Sequence, residues 1–207
     1  MKPPVRVSAA AEAEVDHADI SIVPLEADDE RGVDEVASLL VRSFQVASPN
    51  WVPTSERARE VVVEALSPAH INRAFVLAGR IMGWIGARHD YGAVWELHPL
   101  VVAENVRGRG IGRALVDAIV GLVEEQGALT LLLGTSDESG LTNLFGRDLF
   151  RQPLDILQNI EAARGHPLGF WLNVGFAVVG VVPDAEGIGK PTILLAKAVG
   201  RARGSRR

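Results

Sequence analysis

The stretch Val106–Leu115, VRGRGIGRAL, sets three glycines and three arginines into ten residues. It follows an apolar run, Trp95–Val102 (WELHPLVV), and opens another whose spacing is helical. The first backbone N–H groups of a helix have no partner inside it. The helix dipole adds partial positive charge at the same end, and glycine lets a ligand come close to the chain. A strand running through such a turn into a helix is a βα unit suited to an anion, phosphate above all. The dinucleotide-binding pattern is excluded, because the glycines fall at 108, 110 and 112 rather than in G-x-G-x-x-G, and the turn lies mid-chain. The phosphate loop of nucleoside triphosphatases is excluded too, since no Lys-Ser/Thr follows. On spacing alone, a plain glycine-rich turn capping a core helix remains open.

The rest of the chain reads around that turn. ISIVPL (20–25) has strand character, and RGVDEVASLLVRSF (31–44) sets Val33, Val36, Leu39, Leu40 and Phe44 on one helical face. Residues 48–66 predict a loop and a helix, with Thr54 or Ser55 as cap. Residues 74–102 hold three β-rich runs, broken at Gly79-Arg80 and at Asp90-Tyr91-Gly92, which predicts an antiparallel meander. Ile111, Leu115, Ile119, Leu122 and Val123 form a helical stripe that stops at Gly127. A short strand (128–136), a loop-rich stretch with a short helix (137–165), a helix opening at His166-Pro167 and two final strands complete the order. The expectation is an α/β (α+β) domain over residues 19–200: a mixed, mostly antiparallel sheet of six to seven strands flanked by about four helices. Residues 1–18 read as a disordered leader and 201–207 as a frayed basic tail.

Several function classes drop out. The chain has no cysteine, so disulfides, thiolate metal sites and cysteine nucleophiles are excluded. Its five histidines are scattered without ligand spacing, so no metal is expected. The formal charge of −5 disfavours nucleic acid and anionic membrane, and suits a cationic small substrate. No apolar run reaches bilayer length, and no basic-then-apolar leader opens the chain, so cytoplasm is the expected location.

Arg107-Gly-Arg-Gly110-Ile-Gly112 resembles the R/Q-x-x-G-x-G/A pyrophosphate loop of the GCN5-related N-acetyltransferases (GNAT family), and the element order is similar to theirs. Trp95-Glu-Leu-His-Pro-Leu-Val-Val102, Leu133-Gly-Thr-Ser-Asp137, Thr142-Asn143-Leu-Phe, Val179-Gly-Val-Val-Pro-Asp-Ala185 and Gly189-Lys-Pro narrow the resemblance to aminoglycoside 6′-N-acetyltransferases, over about residues 20–199. The resemblance implies acetyl-CoA as cosubstrate and transfer to the 6′-amine of an aminoglycoside antibiotic, hence resistance. It also implies a homodimer formed through the C-terminal strands. Another amine acceptor, such as a polyamine or a peptide N-terminus, is the alternative; so is an acetyl-CoA-binding protein that has lost turnover.

Acetyl transfer needs a deprotonated amine, a polarised thioester carbonyl and a stabilised leaving thiolate. The resemblance implies a splayed strand at HPLVV, with the Leu100 N–H as oxyanion donor and Val101 and Val102 pairing with the pantetheine arm. It implies that Arg107, Gly108, Arg109, Gly110, Ile111, Gly112 and Arg113 hold the pyrophosphate, and that Asn143 contacts the cofactor. For Asn143, a helix N-cap is the plainer reading. On a period-2 strand Glu96, His98 and Leu100 share a face, and Glu96 is the expected base or ammonium anchor. An ion pair with a nearby arginine is the alternative for Glu96. His98 is either an assisting or a core histidine. Asp137, a further catalytic candidate, and Glu138 suit a second ammonium contact, or else form a solvated loop pair. Trp51 and Tyr91 offer flat walls for sugar rings, although Trp51 could equally be a packing residue. One position departs from the family pattern. Trp171, in Phe170-Trp-Leu-Asn-Val-Gly-Phe176, stands where many members carry a tyrosine that protonates the thiolate. An indole N–H can donate a hydrogen bond but is no acid near neutral pH.

Overall fold

The computed structural model describes residues 20–45, 48, 51–151 and 153–200. The expected leader and the basic tail lie outside the described residues. Apolar side chains at helical spacing make α1 (Glu30–Phe44), which Asp29 caps by accepting the Gly32 N–H at 2.9 Å. Helix α2 (Ser55–Ala65) starts at Thr54, whose Oγ1 accepts the Arg57 N–H at 3.2 Å, one of the two expected caps. After β1 (Ile20–Val23), the meander consists of β2 (His70–Leu77), β3 (Arg80–Tyr91) and β4 (Val94–Val102). The glycine-rich turn leads into α3 (Ile111–Glu125), followed by β5 (Thr130–Ser136). The short helices α4 (Pro153–Leu157) and α5 (Leu168–Asn173) precede β6 (Ala177–Val182) and β7 (Thr192–Ala198). The element order matches expectation, with five helices where about four were expected.

The seven strands form one sheet in the order β1-β2-β3-β4-β5-β7-β6. Only the β4–β5 pair is parallel; the others are antiparallel. Each face carries its own core. On one face, Val33, Val36, Leu40, Val61 and Val62 of α1 and α2 pack on Ala74, Trp84 and Val101. On the other, Leu115, Ile119 and Val123 of α3, with Leu168 and Trp171 of α5, pack on Ile85, Leu97, Leu131 and Ile193. A helix pair and a βα unit on opposite faces are what the two apolar helical stripes demand.

Two irregularities of β4 create the site. Its pairing with β5 runs Val94–Thr130, Trp95–Leu131 and Glu96–Leu132, and then stops. Beyond Glu96 the two strands separate and leave a gap. On the other side, the register with β3 shifts between Ile85–Leu100 and Ala87–Leu97. His98 and Pro99 together stand opposite Gly86, a β-bulge. A side chain at Gly86 would put its Cβ 2.8 Å from the His98 carbonyl oxygen, so only glycine lets the bulge form.

Candidate active site

The bulge corrects one expectation directly. Glu96 and His98 do share a face, but the extra residue shifts the alternation, so Leu100 packs toward the α3 core and Val101 toward the α1–α2 core. The backbone alternation decides which groups are free. Ala103 N–H donates to Met82 O on β3 at 2.8 Å, so Val101, two residues earlier, also faces β3. Leu100 and Val102 therefore turn their N–H groups into the gap between β4 and β5. Val101 does not offer its backbone to the gap and is buried against Trp84, which corrects its expected cofactor contact.

The glycine-rich turn meets the phosphate requirement through its backbone. Among the described residues, the N–H groups of Gly108, Arg109, Gly110, Ile111, Gly112 and Arg113 have no internal acceptor, and the helical pattern begins with Ala114 N–H to Gly110 O. Gly108 (φ +77°) and Gly110 (φ +83°) hold left-handed conformations, with no heavy atom within 4 Å of where a Cβ would sit. That open, amide-lined concavity fits a pyrophosphate. Gly112 has another reason to be glycine: a Cβ there would sit 3.1 Å from the Phe170 ring. Two of the three arginines are committed elsewhere. Arg107 Nε donates to Val102 O at 3.0 Å, and an Arg113 guanidinium N–H donates to Asn173 O at 2.7 Å, capping the C-terminus of α5. Arg109 makes no hydrogen bond or ion pair among the described residues.

A cleft of about 210 Å³ lies on the α2 side of the bulge, lined by Trp51, Arg57, Glu64, His70, Arg88 and His98 among others. The Trp51 ring meets His98 edge to face at 4.9 Å and Phe44 at 4.6 Å, so it both packs and walls the cleft. Desolvation, aided by Arg88, lowers the His98 pKa by more than Glu96 and Glu64 raise it. The imidazole is thus uncharged at neutral pH and able to accept a proton. Glu96 is in the ion pair weighed as its alternative. Arg88, its cross-strand partner, reaches Oε2 with Nε at 2.8 Å and with a terminal guanidinium nitrogen at 2.6 Å. Glu96 Oε1 makes no hydrogen bond among the described residues.

Other expected residues are placed elsewhere. Asp137 is 1% exposed. Its Oδ1 accepts Leu141 N–H, and its Oδ2 accepts both Thr142 N–H and Thr142 Oγ1, at 2.7–2.9 Å. Those bonds fold the loop after β5 and leave no open carboxylate for an ammonium, contrary to expectation. Glu138, beside it, is half-buried. Asn143 is not a helix cap. Its side chain donates to Asn159 O at 2.8 Å and accepts Glu161 N–H at 3.0 Å, so both ends of the amide clip the loop and neither is free for a cofactor. Tyr91 is exposed at the β3–β4 turn, the opposite end of the hairpin from Leu100, so it does not wall the bulge cleft. It is also the chain's sole tyrosine, so no tyrosine stands in place of Trp171. Trp171 is buried between Phe170 and Phe176, at 4.9 and 5.4 Å.

Sequence reasoning missed Arg88, Arg57, Glu64 and His70. For Arg88 no count along the sequence suffices: a regular hairpin from Tyr91–Val94 would set His89 across from Glu96, and a register shift between His89 and Tyr91 puts Arg88 there instead.

The Acetyltransferase (GNAT) family pattern matches residues 34–149, more than half of the chain. The chain belongs to the GNAT acetyltransferase family. A coenzyme A complex of an aminoglycoside 6′-N-acetyltransferase is 32% identical, with a TM-score of 0.80, over 89% of this chain and 99% of that one. The aminoglycoside 6′-N-acetyltransferase from Enterococcus faecium is also 32% identical, with a TM-score of 0.77 and the same coverage. An aminoglycoside 6′-acetyltransferase type Ii is 29% identical, with a TM-score of 0.65, over 88% of this chain and 99% of that one. No curated protein matches by sequence. As a GNAT acetyltransferase, the protein uses acetyl-CoA, and the gap and amide-lined turn fit that cosubstrate. Among the described residues, no group of three metal-ligating side chains exists and no helix is long and apolar enough to cross a membrane.

Proposed function

We propose that this acetyltransferase transfers the acetyl group of acetyl-CoA to the 6′-amine of aminoglycosides and so confers resistance in the cytoplasm. The observation that carries the reading is the bulge cleft, where His98, Trp51 and Arg88, the partner of Glu96, meet the end of β4 from which the Leu100 N–H enters the gap. Acetyl-CoA supplies an activated thioester. The free amides of Gly108–Arg113 hold its phosphates. The Leu100 N–H donates to the carbonyl oxygen as negative charge grows there, and one such donor is worth roughly 3 kcal/mol. Glu96 Oε1 receives the ammonium group, and neutral His98 accepts its proton, directly or through water. The leaving thiolate takes its proton from solvent, since Trp171 has none to give near neutral pH.

The presence of Arg88 and Arg57 in the cleft supports a second reading, an acceptor amine with fewer charges than an aminoglycoside. A homodimer is part of the proposal as well: β6 is an edge strand with Val179 and Val182 exposed, and light scattering on the purified protein reads its mass. The test of function is CoA-thiol release with kanamycin A, its 6′-hydroxyl analogue, spermine and a peptide. Turnover of kanamycin A alone supports the proposal. Turnover of spermine or peptide alone refutes the aminoglycoside assignment.

A further inference from the structure

The cleft carries its own counter-ions. Arg88 holds Glu96 through Oε2, and Arg57 donates to Glu60 Oε2 at 2.9 Å. Glu64 makes no ion pair among the described residues. Glu64 thus leaves one carboxylate of the cleft lining open, but Glu96 is not open in the same way. Here the carboxylate nearest the bulge is already paired with a guanidinium set across from it by the hairpin register. Arg88 also lines the cleft beside His98, so its charge faces whatever enters.

We propose that Arg88 sets the charge selectivity of the acceptor cleft: it holds Glu96 through Oε2, leaves Oε1 for one substrate ammonium, and sets its own positive charge against any further one. This rests on the acetyltransferase reading of the same cleft. An acceptor with one ammonium group binds Glu96 Oε1 and leaves the pair intact. A polycation brings further positive charge against Arg88 and is penalised. Two unit charges about 6 Å apart at an effective dielectric constant of about 40 repel enough to change affinity about tenfold, or about 1.4 kcal/mol. Arg88 is thus a specificity residue acting through its own charge on the acceptor, distinct from the groups that handle the acetyl transfer.

The test compares wild type, Arg88→Gln and Arg88→Lys, with kanamycin A and with methyl 6-amino-6-deoxyglucoside, a sugar with a single amine. Arg88→Gln is expected to lower KM for kanamycin A about tenfold and to change KM for the monoamine less than about threefold. Arg88→Lys, which keeps the charge, is expected to keep wild-type selectivity. The gain should shrink at about 0.5 M salt. Equal effects on both acceptors, a raised KM for kanamycin A, or Arg88→Lys behaving as Arg88→Gln would overturn the proposal. If all three proteins bind acetyl-CoA yet turn over no amine, the acetyltransferase reading fails separately. Calorimetric titration of kanamycin A then decides this inference: tighter binding to Arg88→Gln upholds it, and equal Kd values overturn it.

Discussion

Replacing Asp137 with alanine separates a catalytic carboxylate from a structural one. Its two oxygens accept the Leu141 N–H, the Thr142 N–H and the Thr142 hydroxyl, and the residue is 1% exposed. A hydrogen bond to a charged group contributes roughly 1.5–3 kcal/mol. The freed donors regain some water as the loop relaxes, so the expected loss is about 3 kcal/mol rather than the full sum. For a domain of this size that corresponds to a fall in Tm of roughly 6–12 °C. Burial alone would raise the Asp137 pKa, but the bonds from Leu141 and Thr142 outweigh it, and the net shift is downward. A depressed folded pKa gives stability that is present above the unfolded value of about 3.9 and lost as pH falls through the folded one. The stability gap between wild type and variant should therefore be complete at pH 7 and narrow below about pH 4. Thermal and urea melts read the gap, and thiol release at 15 °C reads turnover of the folded variant. An unchanged Tm with a hundredfold or greater loss of kcat would refute the structural assignment and restore Asp137 as a catalytic group.

Gly110→Asp sets a carboxylate into the amide concavity at a position with φ +83°, and should raise the acetyl-CoA KM tenfold or more; an unchanged KM would remove the turn from the site. Gly86→Ala brings a Cβ to 2.8 Å from the His98 carbonyl oxygen, so the bulge must shift, and kcat should fall by about ten- to a hundredfold with acetyl-CoA binding intact. Trp171→Tyr restores a group that can protonate the thiolate and is expected to raise kcat; no change would show that departure is not limiting.

The order of elements was legible because each carries its own period: 3.6 in the stripe from Ile111 to Val123, 2 in the meander, glycine at the breaks. The phosphate turn was legible because its chemistry lies in the backbone and needs only local glycines. The faces of β4 were not legible. A period-2 reading carried Glu96, His98 and Leu100 along together and passed over Pro99, whose missing N–H inside a central strand was the one local mark of the extra residue that turns Leu100 to the other core. Side chains in loops were the hardest to assign. Asp137 and Asn143 have the residue types of binding groups, but the loop from 137 to 161 needed partners for its own amides and used them. Arg107 and Arg113 were similarly drawn to the nearby carbonyls of Val102 and Asn173, partners fixed only by the fold.

The most direct test is the position of the new acetyl group after reaction of kanamycin A with acetyl-CoA and the purified protein, read by two-dimensional NMR of the product. A single acetyl on the 6′-nitrogen, with no product from the 6′-hydroxyl analogue, is the expected result. Acetylation at another nitrogen, or none while a simpler amine is acetylated, would contradict the acceptor assigned to the cleft.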